Sequence, residues 1–416
     1  MQKVLSINRF TGIDQRSSIG TPDHPLVNQP EPPTIADLHN IFMSDGVPLA
    51  IRAARKALAE AGIDDVSAVT HMVSTTCTNS ANPGYDHYVA KALGLSSRVE
   101  KVLLHGIGCS GGLAALRTAA NLCLGHARRG KPARILVVAL EVSTTMVRSE
   151  LESINKLQET RIGVALFSDC ASAVVLSNGI GEQQRAEPVY ELMEWEHSVV
   201  PDTEGDLGFD VDPVGWKVVL SPRVPELTRS VLQPSYDAIM SSISDSLPKT
   251  YRKPADFDWA MHPGGATILT GAEQTLKITP EHMRASYDTY INHGNSSSAT
   301  IFSVLNRLRD KDMDGMAPGG KVKDYVVGCA FGPGITVEMC MLKRNLGHSR
   351  TTATVPTGLE TPPETESEAT TSSRGSEDGD ADSEEAGSER RIGAQKATEK
   401  SGEEFISEAL DGVELD

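Results

Sequence analysis

The sequence predicts an α/β protein built from parallel β-α-β units, and three observations carry that reading. Short apolar runs of strand length, at 68–73, 101–105 and 133–140, alternate with segments whose apolar residues recur at helical spacing. Strand-to-helix junctions are made of small residues, as in His105-Gly-Ile-Gly-Cys109-Ser-Gly-Gly. The chain has 416 residues, 39% of them hydrophobic, which is enough for two core-sized units.

In order along the chain, residues 1–46 hold a Pro-rich loop (Pro22, Pro25, Pro30, Pro32, Pro33) that excludes regular helix or central strand. Pro48 opens a helix that carries Leu49, Ala53, Ala57 and Leu58 on one face and closes at Gly62. A strand at 68–73 leads into the polar loop Thr75 to Gly84, and a helix follows over 87–93. The strand at 101–105 precedes a helix over 110–126, with Leu113, Leu116, Ala120 and Cys123 on its apolar stripe. A strand at 133–140 ends in Glu141, and another at 171–177 closes the first half. The second half opens with a strand at 189–195 and, after a long polar section, has a helix over 225–243. A buried strand at 257–261 runs into His262-Pro-Gly-Gly265 and a helix to Leu276. That arrangement echoes the Cys109 junction and suggests two repeats of one β-α series. Asn295 opens a last helix, to about residue 310. Strands at 325–329 and 335–342, joined by Phe331-Gly-Pro-Gly334, read as antiparallel neighbours.

Charge divides the chain. Its formal charge is −17, of which residues 351–416 carry −13 (18 acidic against 5 basic), leaving −4 for the rest. A folded part so near balance gives no nucleic-acid footprint. Low apolar content predicts disorder over 346–416, with the patch Phe405-Ile-Ser-Glu-Ala-Leu410 as a candidate docking element. The six cysteines form neither a CxxC pair nor a Cys/His cluster at zinc spacing, so the sequence suggests no metal site or disulfide scaffold. No apolar run spans a bilayer, and the start has no signal-like segment; a cytoplasmic protein is expected.

Three residues emerge from small-residue junctions: Cys109, His262 and Asn295. Singly, each has a plain structural explanation: a buried turn thiol, a strand-end ring and a helix N-cap. Together they make a sufficient chemical set. A thiol at a helix start is favoured as thiolate, and an imidazole can hold it so. The imidazole N–H and the amide can then donate to an oxygen that becomes negative during reaction. The glycines beside Cys109 are expected to leave room for a substrate.

Gly-Cys109-Ser-Gly-Gly, Ala-Leu-Phe167-Ser-Asp, His262-Pro-Gly-Gly, Gly-Asn295-Ser-Ser-Ser-Ala and Phe331-Gly-Pro-Gly occur in the order and spacing of the type III polyketide synthases, the chalcone and stilbene synthase family. The loop Cys77-Thr-Asn-Ser-Ala-Asn-Pro-Gly84 resembles the fungal members, which include alkylresorcylic acid and alkylpyrone synthases. The resemblance covers about residues 1–345. It implies a thiolase-like five-layered α-β-α-β-α fold in two pseudo-repeated halves, 1–180 with the nucleophile and 181–345 with His and Asn, followed by the tail 346–416. It further implies a homodimer, coenzyme A thioesters as substrates, and no metal or prosthetic group.

By resemblance, Cys109 accepts a starter acyl group from an acyl-CoA. His262 and Asn295 promote decarboxylation of malonyl-CoA and stabilise the carbanion. Ring closure then gives an alkylpyrone, resorcinol or resorcylic acid. Phe167 matches the gate between the coenzyme A tunnel and the cavity, and Glu141, Ser143, Met146 and Ser297 match positions lining that cavity. A second gating phenylalanine falls at Val218, which would widen the neck. With only 5% aromatic residues, a long fatty acyl starter is expected. Arg9, Arg16, Gly264 and Gly265 are candidates for holding coenzyme A. The family's opening strand and helix, which would precede Lys3, are expected to be missing and to leave an open sheet edge. Two alternatives stand: a single-condensation ketoacyl synthase of the thiolase fold, and a truncated inactive scaffold.

Overall fold

The computed structural model describes residues 8–348 apart from 22, 159–160, 183–186 and 213–214. The first half runs α1 (Val47–Glu60), β1 (His71–Thr75), α2 (Tyr85–Leu93), β2 (Glu100–Leu104), α3 (Gly111–Arg128), β3 (Arg134–Glu141), α4 (Val147–Leu157) and β4 (Cys170–Ser177). The second half runs β5 (Tyr190–Val199), β6 (Leu207–Asp212), β7 (Gly215–Leu220), α5 (Val224–Ile243), β8 (Asp258–Met261), α6 (Ala266–Leu276), α7 (Arg284–His293), α8 (Thr300–Leu308), β9 (Tyr325–Gly332) and β10 (Thr336–Arg344). Ahead of α1, the Pro-rich region holds two short helices, Pro25–Asn28 and Ile35–Ile41. The second is set by a Thr34–Asp37 capping box. Pro25 is tolerated because it stands at a helix start, where its missing N–H would have no partner anyway.

Two four-stranded sheets, β2-β1-β3-β4 and β5-β10-β9-β8, lie among three helical layers. The alternation of β3 decides this arrangement. Leu136, Val138 and Leu140 face outward onto Val47, Ala50, Ala54 and Leu58 of α1. Ile135, Val137 and Ala139 face inward onto α3 and α8, which also meet Val326 and Ala330 of the other sheet. On its far side that second sheet packs Trp259, Val327 and Met339 against Leu232, Ile239 and Leu269 of α5 and α6. The layers are therefore α-β-α-β-α, as expected. A strand buried on both faces needs apolar residues at every position, which is why 133–140 reads as a continuous run.

The parallel prediction needs a correction. β1 pairs parallel with β2 and β3, β8 pairs parallel with β9, and β9 and β10 are antiparallel as expected, but β4 runs antiparallel to β3, and β5 antiparallel to β10. After β3 the chain turns through α4 and re-enters the sheet from the same end; after β9 a tight hairpin does so. The repeat relation also shifts. The partner of α3 in the central layer is α8, which follows Asn295, whereas the helix after His262 belongs to an outer layer. Cys109 and Asn295 thus occupy equivalent junctions. The predicted tail, its patch at 405–410 and residues 1–7 lie outside the described residues.

Candidate active site

Cys109 sits in one 3-10 turn, Gly108–Ser110, that feeds directly into α3. The glycines around it serve packing rather than substrate room. Gly108 is at φ +56, and a Cβ there would lie 2.6 Å from Pro333 of the β9–β10 turn. A Cβ on Gly111 would lie 2.5 Å from Thr75 Oγ1, and one on Gly112 would strike the Ser298 carbonyl and lie 2.6 Å from Ile301. Backbone approach at this spot is what lets the two halves interlock.

Asn295 is clamped on several sides. Its backbone N–H donates to Leu166 at 3.0 Å, and its carbonyl accepts from Ser168 at 2.9 Å, forming a bridge to Phe167. Its Oδ1 accepts from the Ser297 amide at 2.8 Å, and its Nδ2 donates to the Gly264 carbonyl at 3.3 Å. Because the Ser297 amide needs an acceptor, the amide orientation is fixed and one Nδ2 hydrogen remains. The Asn295 and Ser297 side chains both bond to the Cys109 thiol and draw its pKa down. Burial outweighs them and pushes it up to about 11.

His262 ends β8. Its backbone N–H donates to Cys329 at 2.8 Å, and its carbonyl accepts from Gly264 at 2.9 Å. The ring is buried, and neither ring nitrogen has a hydrogen-bond partner among the described residues. Burial pushes its pKa down to about 4. Desolvation alone therefore drives both thiol and imidazole toward neutrality. A thiolate, as expected from the sequence, would need a positive charge beside the sulfur and the field of the α3 N-terminus to offset this burial.

The remaining candidates divide. Ser143, Met146, Phe167 and Val218 line one small cavity together with Val147, Glu150, Gly163 and Val164. Asp169 holds the Ser143 end of that cavity by accepting from the Ser143 and Thr144 amides at 2.6 and 2.8 Å. Glu141 and Ser297 lie elsewhere, on the nucleophile side. Glu141 is fully buried and accepts from the Cys77 amide at 3.1 Å, from Thr78 Oγ1 at 2.9 Å and from Ser298 Oγ, so it ties the halves together rather than facing a cavity. Ser297 Oγ lies 3.4 Å from Cys77 Sγ. Burial pushes the Cys77 thiol far above its ordinary range.

At Val218, where the sequence leads one to expect an open neck, the structure adds a second aromatic ring nearby. Val218 pairs across the β6–β7 hairpin with Phe209, whose ring meets Phe167 edge-on at 6.1 Å. Two phenylalanines therefore meet beside Val218, the second on the neighbouring strand. The sequence reading missed Phe209 because its hairpin reads as polar loop; its one signal is the alternation Leu207-Gly-Phe209-Asp-Val211. Arg16 is not free to grip a phosphate. Its guanidinium donates to the Phe167 carbonyl at 2.9 Å, and burial lowers its pKa against the raising charge of Asp169. Arg9 is exposed near the start of the described chain. Gly264 and Gly265 form the turn after His262, and a Cβ on Gly265 would meet nothing within 4 Å. Among the described residues no helix is long and apolar enough to cross a membrane.

A five-layered fold with a helix-start cysteine, a buried histidine and a clamped asparagine defines an acyl-transferring condensing enzyme. Residues 16–180 match the N-terminal domain of chalcone and stilbene synthases, and residues 191–345 match their C-terminal domain. The chain belongs to this family and is a type III polyketide synthase. It is 39% identical over 347 residues to the acylalkylpyrone synthase csyB of Aspergillus oryzae, covering 83% of this chain and 86% of that protein. With the type III polyketide synthase pspB of Penicillium soppii it shares 40% identity over 358 residues, 83% of this chain and 87% of that one. Among solved structures, a type III pentaketide synthase from Neurospora crassa is 77% identical with a TM-score of 0.82, covering 83% of this chain and 91% of that chain. CsyB complexed with CoA-SH gives 38% identity and a TM-score of 0.77 over 83% of this chain and 91% of that one.

Proposed function

We propose that the protein condenses a long-chain fatty acyl-CoA starter with malonyl-CoA and cyclises the product to an alkylpyrone, resorcinol or resorcylic acid. One observation carries the chemistry: the Asn295 amide bonds to the Cys109 thiol and is fixed by Ser297 and by Gly264, which stands two residues beyond a buried imidazole whose ring nitrogens have no partner among the described residues. In the first step Cys109 Sγ attacks the thioester carbonyl while His262 takes the thiol proton, and the coenzyme A thiolate leaves. In the second, malonyl thioester loses carbon dioxide. The resulting enolate oxygen accepts from the His262 N–H and from the Asn295 Nδ2 hydrogen that acylation of Cys109 releases, and its carbon attacks the acyl-cysteine.

The fatty starter is supported by the aliphatic lining of Met146, Val147, Val164 and Val218, and by the acylalkylpyrone synthase among the relatives. Gly264 and Gly265 offer an open backbone surface for the thioester arm, and Arg9 stays a candidate for a coenzyme A phosphate. In our reading the halves 1–180 and 181–345 work as one unit within a cytoplasmic homodimer that needs no metal or prosthetic group for this chemistry.

The test separates the two steps. Cys109→Ala should abolish all products from long-chain acyl-CoA and malonyl-CoA while retaining malonyl-CoA decarboxylation. Asn295→Ala should still be acylated by the starter but lose decarboxylation about a hundred- to a thousand-fold. Polyketide formation by Cys109→Ala would overturn the assignment of the nucleophile.

A further inference from the structure

At the end of the first sheet remote from the catalytic junctions, His71 opens β1, Glu100 opens β2 directly beside it, and His126 stands in the last turn of α3. We propose that these three side chains form a binding site for a divalent transition metal, zinc by donor type, which clips β1, β2 and the end of α3 together.

The hydrogen bonds around the two rings fix what they offer. Thr70 Oγ1 spends its own hydrogen on the Arg134 carbonyl at 3.1 Å and lies 2.7 Å from His71 Nδ1. With that hydrogen on the carbonyl, Nδ1 donates to Thr70 and Nε2 keeps a lone pair, which is the tautomer a metal ion selects. His126 Nδ1 lies 3.3 Å from the Pro132 carbonyl, an oxygen that can only accept, so its Nε2 also carries a lone pair. His71 is 2% exposed, and its Nε2 has no hydrogen-bond partner among the described residues. The nearest anion to it is Glu100 Oε2, at 3.8 Å. One ligand atom from each residue lies within 4.8 Å of the others, and the two rings meet edge-on at 4.5 Å.

Three electron-pair donors thus converge with no donor hydrogen among them. A proton relieves only one pair; a metal ion takes all three. Two imidazoles and a carboxylate, with water in a fourth place, suit zinc at about 2.0–2.1 Å per bond. Tetrahedral ligand atoms then sit about 3.3 Å apart. Glu100, whose side chain is 71% exposed, is free to swing in and close the remaining gap. Thr70 and Pro132 already hold the outer ring nitrogens as carbonyl and hydroxyl partners do at metal-bound histidines. The carbonyl end of α3 adds a field that favours a cation. The nucleophile is at the opposite end of that helix, about 25 Å away at 1.5 Å per residue, so the role is structural.

Zinc chloride and cobalt chloride, added in turn to the full-length protein, test this. We expect one zinc per chain at micromolar concentration, a melting temperature that rises with zinc, and unchanged polyketide formation. Cobalt should give the visible bands of a tetrahedral nitrogen and oxygen site without a thiolate charge-transfer band. Glu100→Gln and His126→Gln sit on the surface side of the cluster and should fold normally; each should weaken binding at least about tenfold. Equal binding by both variants, a cobalt–thiolate band that places the metal on cysteines, or no binding at micromolar zinc would each overturn the proposal.

Discussion

Gly112→Ala and Gly125→Ala make the same chemical change in the same helix, and the packing gives them opposite signs. Both substitutions gain about 0.8–1.0 kcal/mol of helix propensity. At Gly125, which is exposed with nothing within 4 Å of a new Cβ, that gain stands alone. At Gly112 the new methyl would strike the Ser298 carbonyl oxygen and lie 2.6 Å from Ile301 Cγ2. Overpacking of this kind costs about 1–3 kcal/mol, and the upper part of that range applies because one obstacle is backbone. Gly112→Ala should therefore lose about 1–2 kcal/mol and Gly125→Ala gain somewhat under 1, a separation of about 2–3 kcal/mol in which the propensity term cancels. Urea unfolding followed by the fluorescence of fully buried Trp259 reads both midpoints. Ser298 neighbours Ser297 and donates to Glu141, so Gly112→Ala should also slow product formation while Gly125→Ala leaves it unchanged. Equal midpoints for the two variants would refute the interlocking of α3 with the α8 junction.

Burial, against the charge of Arg161 and the amides of Val218 and Val164, pushes the Glu150 carboxyl up from 4.5 to about 7. A raised carboxyl binds its proton more tightly folded than unfolded, so its contribution is intact below pH 4.5 and is lost as pH rises through 7. Glu150→Gln should accordingly gain up to about 3 kcal/mol of stability over the parent at pH 8 and nothing at pH 4; a pH-independent difference would contradict this. Without an imidazole to take its proton, and with burial outweighing the bonds from Ser297 and Asn295, the Cys109 thiol of His262→Gln should show an alkylation inflection at higher pH than the parent; coincident profiles would remove His262 from the role of partner. At the neck, Phe209→Ala should admit longer or bulkier starters and Val218→Phe should shorten them, read by mass spectrometry of products from a series of acyl-CoAs. An unchanged chain-length profile in both would detach the β6–β7 hairpin from the cavity.

The three candidate reactive residues were legible because each stands among small residues where one element gives way to the next, a pattern local in sequence. Elements with a plain apolar stripe were legible for the same reason, as with α1, predicted from residue 47 and found at Val47–Glu60. What stayed hidden depends on partners distant in the chain. α4 buries Glu150 and Ile154, and α7 buries Arg284, Ser286, Thr289 and Tyr290. Their apolar stripes are short, Val147, Leu151 and Ile154 on α4 and Tyr287, Tyr290 and Ile291 on α7, and α7 is held partly by the buried Arg284–Asp258 pair, at 2.8 Å for each of its two bonds. Strand direction was misjudged because alternation records which face is buried and says nothing about the sense in which the strand runs. The role of Arg16 was invisible for a similar reason: its acceptor, the Phe167 carbonyl, lies 151 residues away.

That distance has a mechanistic consequence. Cys109, His262 and Asn295 stand on three separate junctions, so no single turn can set their spacing; it must come from the contact between halves. The contact is made by atoms that leave no slack: the backbones of Gly108, Gly111 and Gly112 against Pro333, Ser298 and Ile301, and one buried carboxylate, Glu141, accepting from Cys77 and Thr78 of the first half and Ser298 of the second. Burial raises the pKa of Glu141, and the hydrogen bonds from Ser298, Cys77 and Thr78 oppose that rise. A neutral replacement would turn one acceptor oxygen into a donor facing another donor, at a cost of about 1–3 kcal/mol. The strain would fall on Ser298 and so on the adjoining Ser297, which touches the nucleophile. Glu141 is thus a positioning residue for Cys109, although its oxygens face no substrate cavity.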